Sequence, residues 1–271
     1  MAVFFLFLLA LAAGTLSTLF WVPEGDLGRG YFQMNALVTL GLLGIALAVY
    51  RLHSLQPFAA DAPRGAAALG LAFGAALGYW IAVWKESWML GRAMAALSMA
   101  GGLGALLLAG RHLVPASAPL PQRGVLLAAA LVTSALLLGW SLVTMLLGHW
   151  YLVSPKLTFR HLVVFCWVLV AVVLGRCAAV GWSLTTAAGV DPAVEPNPWR
   201  LVVGLEGQGI FFWFRVLWGL AIPLALAFMS LHCARHRSNQ SATGILYVLV
   251  VGALIGEITG LYLTLSTGVP V

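Results

Sequence analysis

Apolar runs of about 20 residues follow one another along nearly the whole chain, the length an α-helix needs to cross a hydrocarbon core about 30 Å thick. The pattern predicts spans at 2–22, 33–50, 65–84, 88–110, 124–148, 161–185, 209–232 and 242–266. Turn chemistry marks the breaks: Pro23 with Gly25 and Gly28, then Pro57 and Pro63, then Pro115, Pro119 and Pro121, then Pro155, and finally Pro192, Pro196 and Pro198. Pro223 falls inside the seventh span and is expected to kink it. Stretches such as Val125 to Leu147 do not alternate apolar and polar residues, which argues against the strands of a membrane barrel. Backbone polar groups find no water at that depth, so the spans are expected to be helical. The expected fold is an all-α, polytopic membrane bundle of eight transmembrane helices, a single transmembrane domain over residues 1–271.

Composition agrees: 62% of the residues are apolar and 8% are charged, whereas soluble domains carry roughly 25% charged residues. No Lys or Arg precedes the first apolar run, so it is read as a retained span and not as a secretion signal. The net charge of +6 does not point to nucleic acid, because the basic residues sit at span ends, where they snorkel to headgroups. The lipid bilayer is their partner, and the expected location is the cell membrane, crossed many times. Counting Arg29, Lys85, Arg92, Lys156, Arg160, Arg235 and Arg237 against Arg51, Arg64, Arg111, Arg123 and Arg200 favours termini on the outward side. Gly65, Gly70, Gly74 and Gly78 recur on one narrow face of the third span, as expected for close helix packing. Cys166, Cys177 and Cys233 lack metal-binding spacing and read as small buried hydrophobes.

Ionisable residues inside spans carry more information, since each costs roughly 2.5–3.5 kcal/mol at the bilayer centre. Arg176 and Glu257 each fall about 15 residues into spans that start on the same side, a shared depth of about 22 Å, and Arg215 can reach that level from the other end. The three form an intramembrane polar site, which either pins helices together or lines a cavity for a small molecule or ion. Histidines near the span ends are a second group. A haem b would need two imidazoles facing each other, for which His149 or His161 with His232 are the candidates. Capping of helix ends accounts for the same histidines. His232 and His236 could share a metal on one helical face, but Arg235 and Arg237 beside them repel cations, and no metal is expected.

Aromatic and ionisable residues also crowd the hairpin between the third and fourth spans. A quinone headgroup requires apolar walls, a hydrogen-bonding group at each carbonyl and an ionisable residue for its proton. Trp84, Lys85, Glu86, Trp88 and Arg92, with His149 from the fifth span, supply that inventory; anchoring in the aromatic belt explains the tryptophans equally. The stretch Glu86-Ser87-Trp88-Met89-Leu90-Gly91-Arg92 resembles the Ser-Trp-Leu-Ser-Arg pattern in the membrane anchor of dimethyl sulfoxide reductase. Gly256-Glu257 followed by Leu261-Tyr262-Leu263 resembles the end of that anchor. Gly91 stands where the pattern has its second Ser, and Ala93 where an acid follows the Arg. The resemblance implies a quinol-oxidising membrane subunit that hands electrons to an iron–sulphur partner subunit. The loops hold no nucleotide, phosphate or nucleophile motif, so the isolated chain is not expected to be catalytic. The expectations are therefore a quinone-interacting subunit of a respiratory or redox complex, a small-molecule or ion transporter, or a haem-binding membrane protein.

Overall fold

The helix order follows from where the apolar runs begin and end. The computed structural model describes residues 1–22, 24–52, 62–116, 119–153, 160–193, 196–205 and 208–271; Pro23, Pro57, Pro155 and Lys156 lie outside them. Helix α1 (Ala2–Thr18) ends in one tight turn, Leu19–Trp21, and α2 (Glu24–Leu27) is a single turn. Then come α3 (Arg29–Leu52), α4 (Ala62–Trp84), α5 (Trp88–Leu113), α6 (Arg123–Val153) and α7 (Arg160–Ala188). The short α8 (Pro198–Val203) precedes α9 (Gly209–Val216), a wide π turn (Leu217–Ala221), α10 (Ile222–Arg235) and α11 (Asn239–Thr267). Among the described residues eight helices are long and apolar enough to cross a membrane, the seventh being α9, the π turn and α10 in series. The chain is thus an all-α, multi-pass membrane bundle.

Several helices outrun their predicted ends because polar partners continue past the apolar core. The indole of Trp150 donates to the Leu27 carbonyl at 3.2 Å and Tyr151 is buried, so α6 extends to Val153 where 148 is predicted. The stretch 186–208, read from sequence as loop, contains α8: the Asn197 side chain accepts from the Arg200 amide at 3.1 Å and Pro198 occupies the first turn. At Pro223 the expected kink takes the form of the π turn just before it. Proline leaves a backbone carbonyl unpaired one turn earlier, and a wide turn absorbs the extra backbone.

Packing divides the eight crossings into two rings of four. Helices α1, α3, α4 and α5 contact one another cyclically, and so do α6, α7, the α9–α10 crossing and α11. The rings join mainly through α1 against α6, assisted by α1 on α11 and α5 on α6. That seam is a backbone-to-backbone contact. A Cβ placed on Gly14 would collide with the Ala135 carbonyl, and one on Gly139 would collide with the backbone of Gly14 and Thr15. The predicted glycine face on α4 holds only in part: Gly65 is buried and a Cβ on Gly78 would lie 3.0 Å from the Met94 sulfur of α5, whereas Gly70 and Gly74 are exposed and have nothing within 4 Å of an added Cβ. The small residue that brings α4 and α5 together is Gly101 on α5, where a Cβ would lie 2.9 Å from the Ala72 amide. Ser98 fixes the same contact by donating to the Ala72 carbonyl at 2.7 Å.

An even number of crossings returns the chain to its starting side. Three crossings, α5, α6 and α7, separate Ser87 from Asp191, so reporters inserted after these residues are expected to read opposite membrane faces, and a shared face would break the eight-crossing topology.

Candidate functional site

The second ring encloses the charges that the sequence places inside spans. Counting at 1.5 Å per residue, Arg176 lies about 18 Å from the Ala188 end of α7, Glu257 about 15 Å from the Thr267 end of α11, and Arg215 about 9 Å from the start of α9. The long arginine side chain bridges the remaining difference in level. Arg176 grips Glu257 with both edges matched: Nε donates to Oε1 at 3.0 Å and Nη2 to Oε2 at 2.9 Å. Arg215 Nη2 donates to Glu257 Oε1 at 3.3 Å, so one carboxylate serves two guanidiniums. Relative exposure is 1% for Arg176 and 0% for the other two, which places the group away from any solvent. Arg176 also donates to the Thr133 hydroxyl at 3.4 Å and to the main-chain oxygen of Val271 at 3.1 Å, the segment after Gly268 folding back into the bundle. Arg215 Nε and Nη1 are buried without a hydrogen-bond partner.

Glycines determine how the three meet. On α11, Gly252, Gly256 and Gly260 recur every fourth residue and face the seventh crossing. A Cβ on Gly219 would lie 2.6 Å from the Gly256 Cα, and one on Gly260 would lie 2.6 Å from Arg215 Nε. The π turn and this glycine row let Arg215 run along α11 to the carboxylate. Sequence reading names the three charged residues but overlooks the glycine row, whose four-residue spacing is visible.

The first ring carries the aromatic hairpin. Lys85, Glu86 and Ser87 close the turn between α4 and α5, with Glu86 in the left-handed region at φ 58° and the Ser87 amide donating to the Ala82 carbonyl at 2.9 Å. Glu86 is exposed and accepts from Arg29 Nη1 at 3.1 Å. Beneath the hairpin, a narrow cleft of about 20 Å³ is lined by Trp88 and Arg92 together with Phe20, Phe32, Tyr79 and the backbone at Gly91. Trp88 stands edge-on to Phe32, with ring centroids 5.5 Å apart. Of the six residues named from sequence for a quinone, Trp88 and Arg92 line this cleft. Trp84, Lys85 and Glu86 sit at the hairpin tip, and Trp84 is 60% exposed. His149 does not join them: its Nδ1 lies 3.0 Å from the Tyr247 hydroxyl of α11, on the second ring. Tyr79, Phe32 and Phe20 are the lining residues that sequence reading does not find, since they come together only through ring packing.

The other imidazoles also have separate neighbours. His161 Nε2 is 2.8 Å from Asp26 Oδ2, and His232 stacks on His236 with centroids 4.3 Å apart. Among the described residues no cluster of three His, Cys, Asp or Glu side chains could hold a metal ion. Comparison with protein-family models, with curated proteins and with solved structures finds no match to this chain.

Proposed function

We propose that the chain is the quinone-interacting membrane subunit of a redox complex, and that the quinone ring enters the cleft beneath the α4–α5 hairpin. The observation that carries the reading is the lining itself: aromatic walls from Phe20, Phe32, Tyr79 and Trp88, with one guanidinium, Arg92. Ligand pockets are mostly apolar with a few placed polar groups, and this lining has that make-up. The cleft holds about 20 Å³, so a headgroup ring enters only where lining side chains such as Trp88 and Arg92 move aside, with the isoprenoid tail left in lipid. Arg92 supplies a donor for a ring carbonyl. Under this reading Glu86, two residues before Trp88, open to water and paired with Arg29, would pass on a proton. Electrons would leave through a partner subunit, as in the anchor that the hairpin motif resembles.

The test is binding of a fluorescent quinone analogue to the purified chain. Trp88→Leu and Arg92→Gln are each expected to weaken binding about tenfold, the worth of one aromatic or charge-assisted contact. Trp84→Leu, outside the cleft, should leave affinity unchanged. Glu86→Gln should keep affinity and slow quinol turnover in the assembled complex. Wild-type affinity in both cleft variants would rule the site out.

One observation favours a second reading, passage of a small anion through the second ring. Arg176, Arg215 and Glu257 sum to one positive charge, and Arg215 keeps two unused donors at 0% exposure. Anion flux into liposomes that Arg215→Met abolishes, with quinone-analogue binding absent, would select this reading.

A further inference from the structure

Between α5 and α6, at the end of the bundle away from the hairpin, lies a cleft of about 480 Å³ that neither site above uses. Arg111, in the last turn of α5, and Arg123, the first residue of α6, stand at its mouth. Leu107, Leu127, Ala128 and Leu131 form its walls. Leu107 and Leu127 are one helical turn deeper than the two arginines, about 6 Å, and Leu131 about 12 Å. Positive charge therefore sits at headgroup level and apolar wall continues into the acyl region. Arg123 is held in place, since its Nη2 donates to the carbonyls of Val114 and Pro115, each at 2.7 Å. Its Nε is buried with no hydrogen-bond partner. Gln122, in the left-handed region at φ 52°, turns the chain so that α6 starts at this mouth with its positive end outward.

We infer that this cleft binds one anionic phospholipid, the phosphate held between Arg111 and Arg123 and an acyl chain laid along Leu107, Leu127 and Leu131. Charge complementarity selects an anionic headgroup over a zwitterionic one, because the mouth presents two guanidiniums. The apolar trough selects a lipid over free phosphate, which would gain nothing from walls about 12 Å deep. The position also has a structural reason. The two rings meet chiefly at α1 and α6 and α5 touches α6 more sparingly, which leaves room beside that contact for something that is apolar below and charged above.

The experiment uses the full chain, depleted of lipid in a non-ionic detergent and titrated with phosphatidylglycerol, phosphatidylcholine or inorganic phosphate. Bound lipid is counted by native mass spectrometry and the unfolding temperature is followed in parallel. One phosphatidylglycerol per chain is expected to persist and to raise the unfolding temperature, phosphatidylcholine and phosphate having little effect. Arg111→Gln should weaken phosphatidylglycerol binding about fivefold, the equivalent of roughly 1 kcal/mol for one basic residue facing an anionic lipid. Ala128→Phe, which fills the trough and keeps both charges, should abolish the one-to-one complex. Arg51→Gln, at the exposed end of α3, should bind as wild type. Equal binding of phosphatidylcholine and phosphatidylglycerol, an equal response to phosphate alone, or wild-type binding by Ala128→Phe would each overturn the inference.

Discussion

Glu257→Gln is expected to destabilise the chain by about 3–5 kcal/mol, the cost of breaking a buried ion pair by removing one partner. The size follows from the sharing of one carboxylate, because its neutralisation strands both Arg176 and Arg215 in a site with no water to replace it. The double variant Arg176→Met with Glu257→Leu is only a partial rescue, since Arg215 stays behind as a lone charge. The triple variant Arg176→Met, Arg215→Met, Glu257→Leu removes every member of the group and should recover most of the loss, as apolar replacements of whole buried ion groups do. Unfolding in detergent micelles measures the series. A Glu257→Gln protein no less stable than the triple variant would show that the cluster is not held by its charges.

The second large effect is expected at the seam between the rings. Gly139→Leu should cost about 1–3 kcal/mol, the range for overpacking a close-fitted interior, and Gly14→Leu a similar amount. At both positions the obstacle is main chain, so no side chain can rotate away and α1 must separate from α6. Gly74→Leu is the control: Gly74 is exposed, an added Cβ there meets nothing within 4 Å, and the variant should stay within about 0.5 kcal/mol of wild type. Equal unfolding temperatures for Gly139→Leu and Gly74→Leu would mean that the two helices are not in backbone contact.

Those two glycines also show where sequence reading stops. Span number is readable because lipid imposes a minimum length on each crossing, and a buried charge announces itself by its cost, so Arg176 and Glu257 can be matched by depth alone. Which face of a helix meets which neighbour is not encoded in that way. Gly70 and Gly74 have the spacing of a packing face and turn outward, whereas Gly14 and Gly139, isolated in their own spans, make the tightest seam. The row Gly252, Gly256 and Gly260 has the same spacing and does pack, against Gly219 and Arg215. Spacing alone cannot separate the two rows, since an apolar neighbour and a lipid tail ask for the same residues. The cleft divides along the same line: Trp88 and Arg92 are neighbours in sequence and readable, while Phe20, Phe32 and Tyr79 reach it from α1's end, α3 and α4. His149 carries the right chemistry but belongs to α6 and meets Tyr247 of α11, both in the other ring.

The burial of α1 bears on how the protein is made. Helix α1 touches α3, α5, α6 and α11, so its last neighbour is synthesised after every other crossing. Until α5 and α6 follow, it must wait in the bilayer with most of its eventual contact surface facing lipid, and the part that meets α11 waits longest. Residues 2–22 contain no charged side chain, and the hydroxyls of Thr15 and Thr18 are satisfied within the helix by the carbonyls of Ala12 and Thr15. A helix with these properties is stable as a solitary insert, as independent insertion before association requires. Helix α11 cannot wait in the same way, because Glu257 is costly in lipid until Arg176 and Arg215 are in place. The order of synthesis, with both arginines preceding the carboxylate, has its partners already inserted when α11 arrives, and closure of the second ring on α1 becomes the last step of assembly.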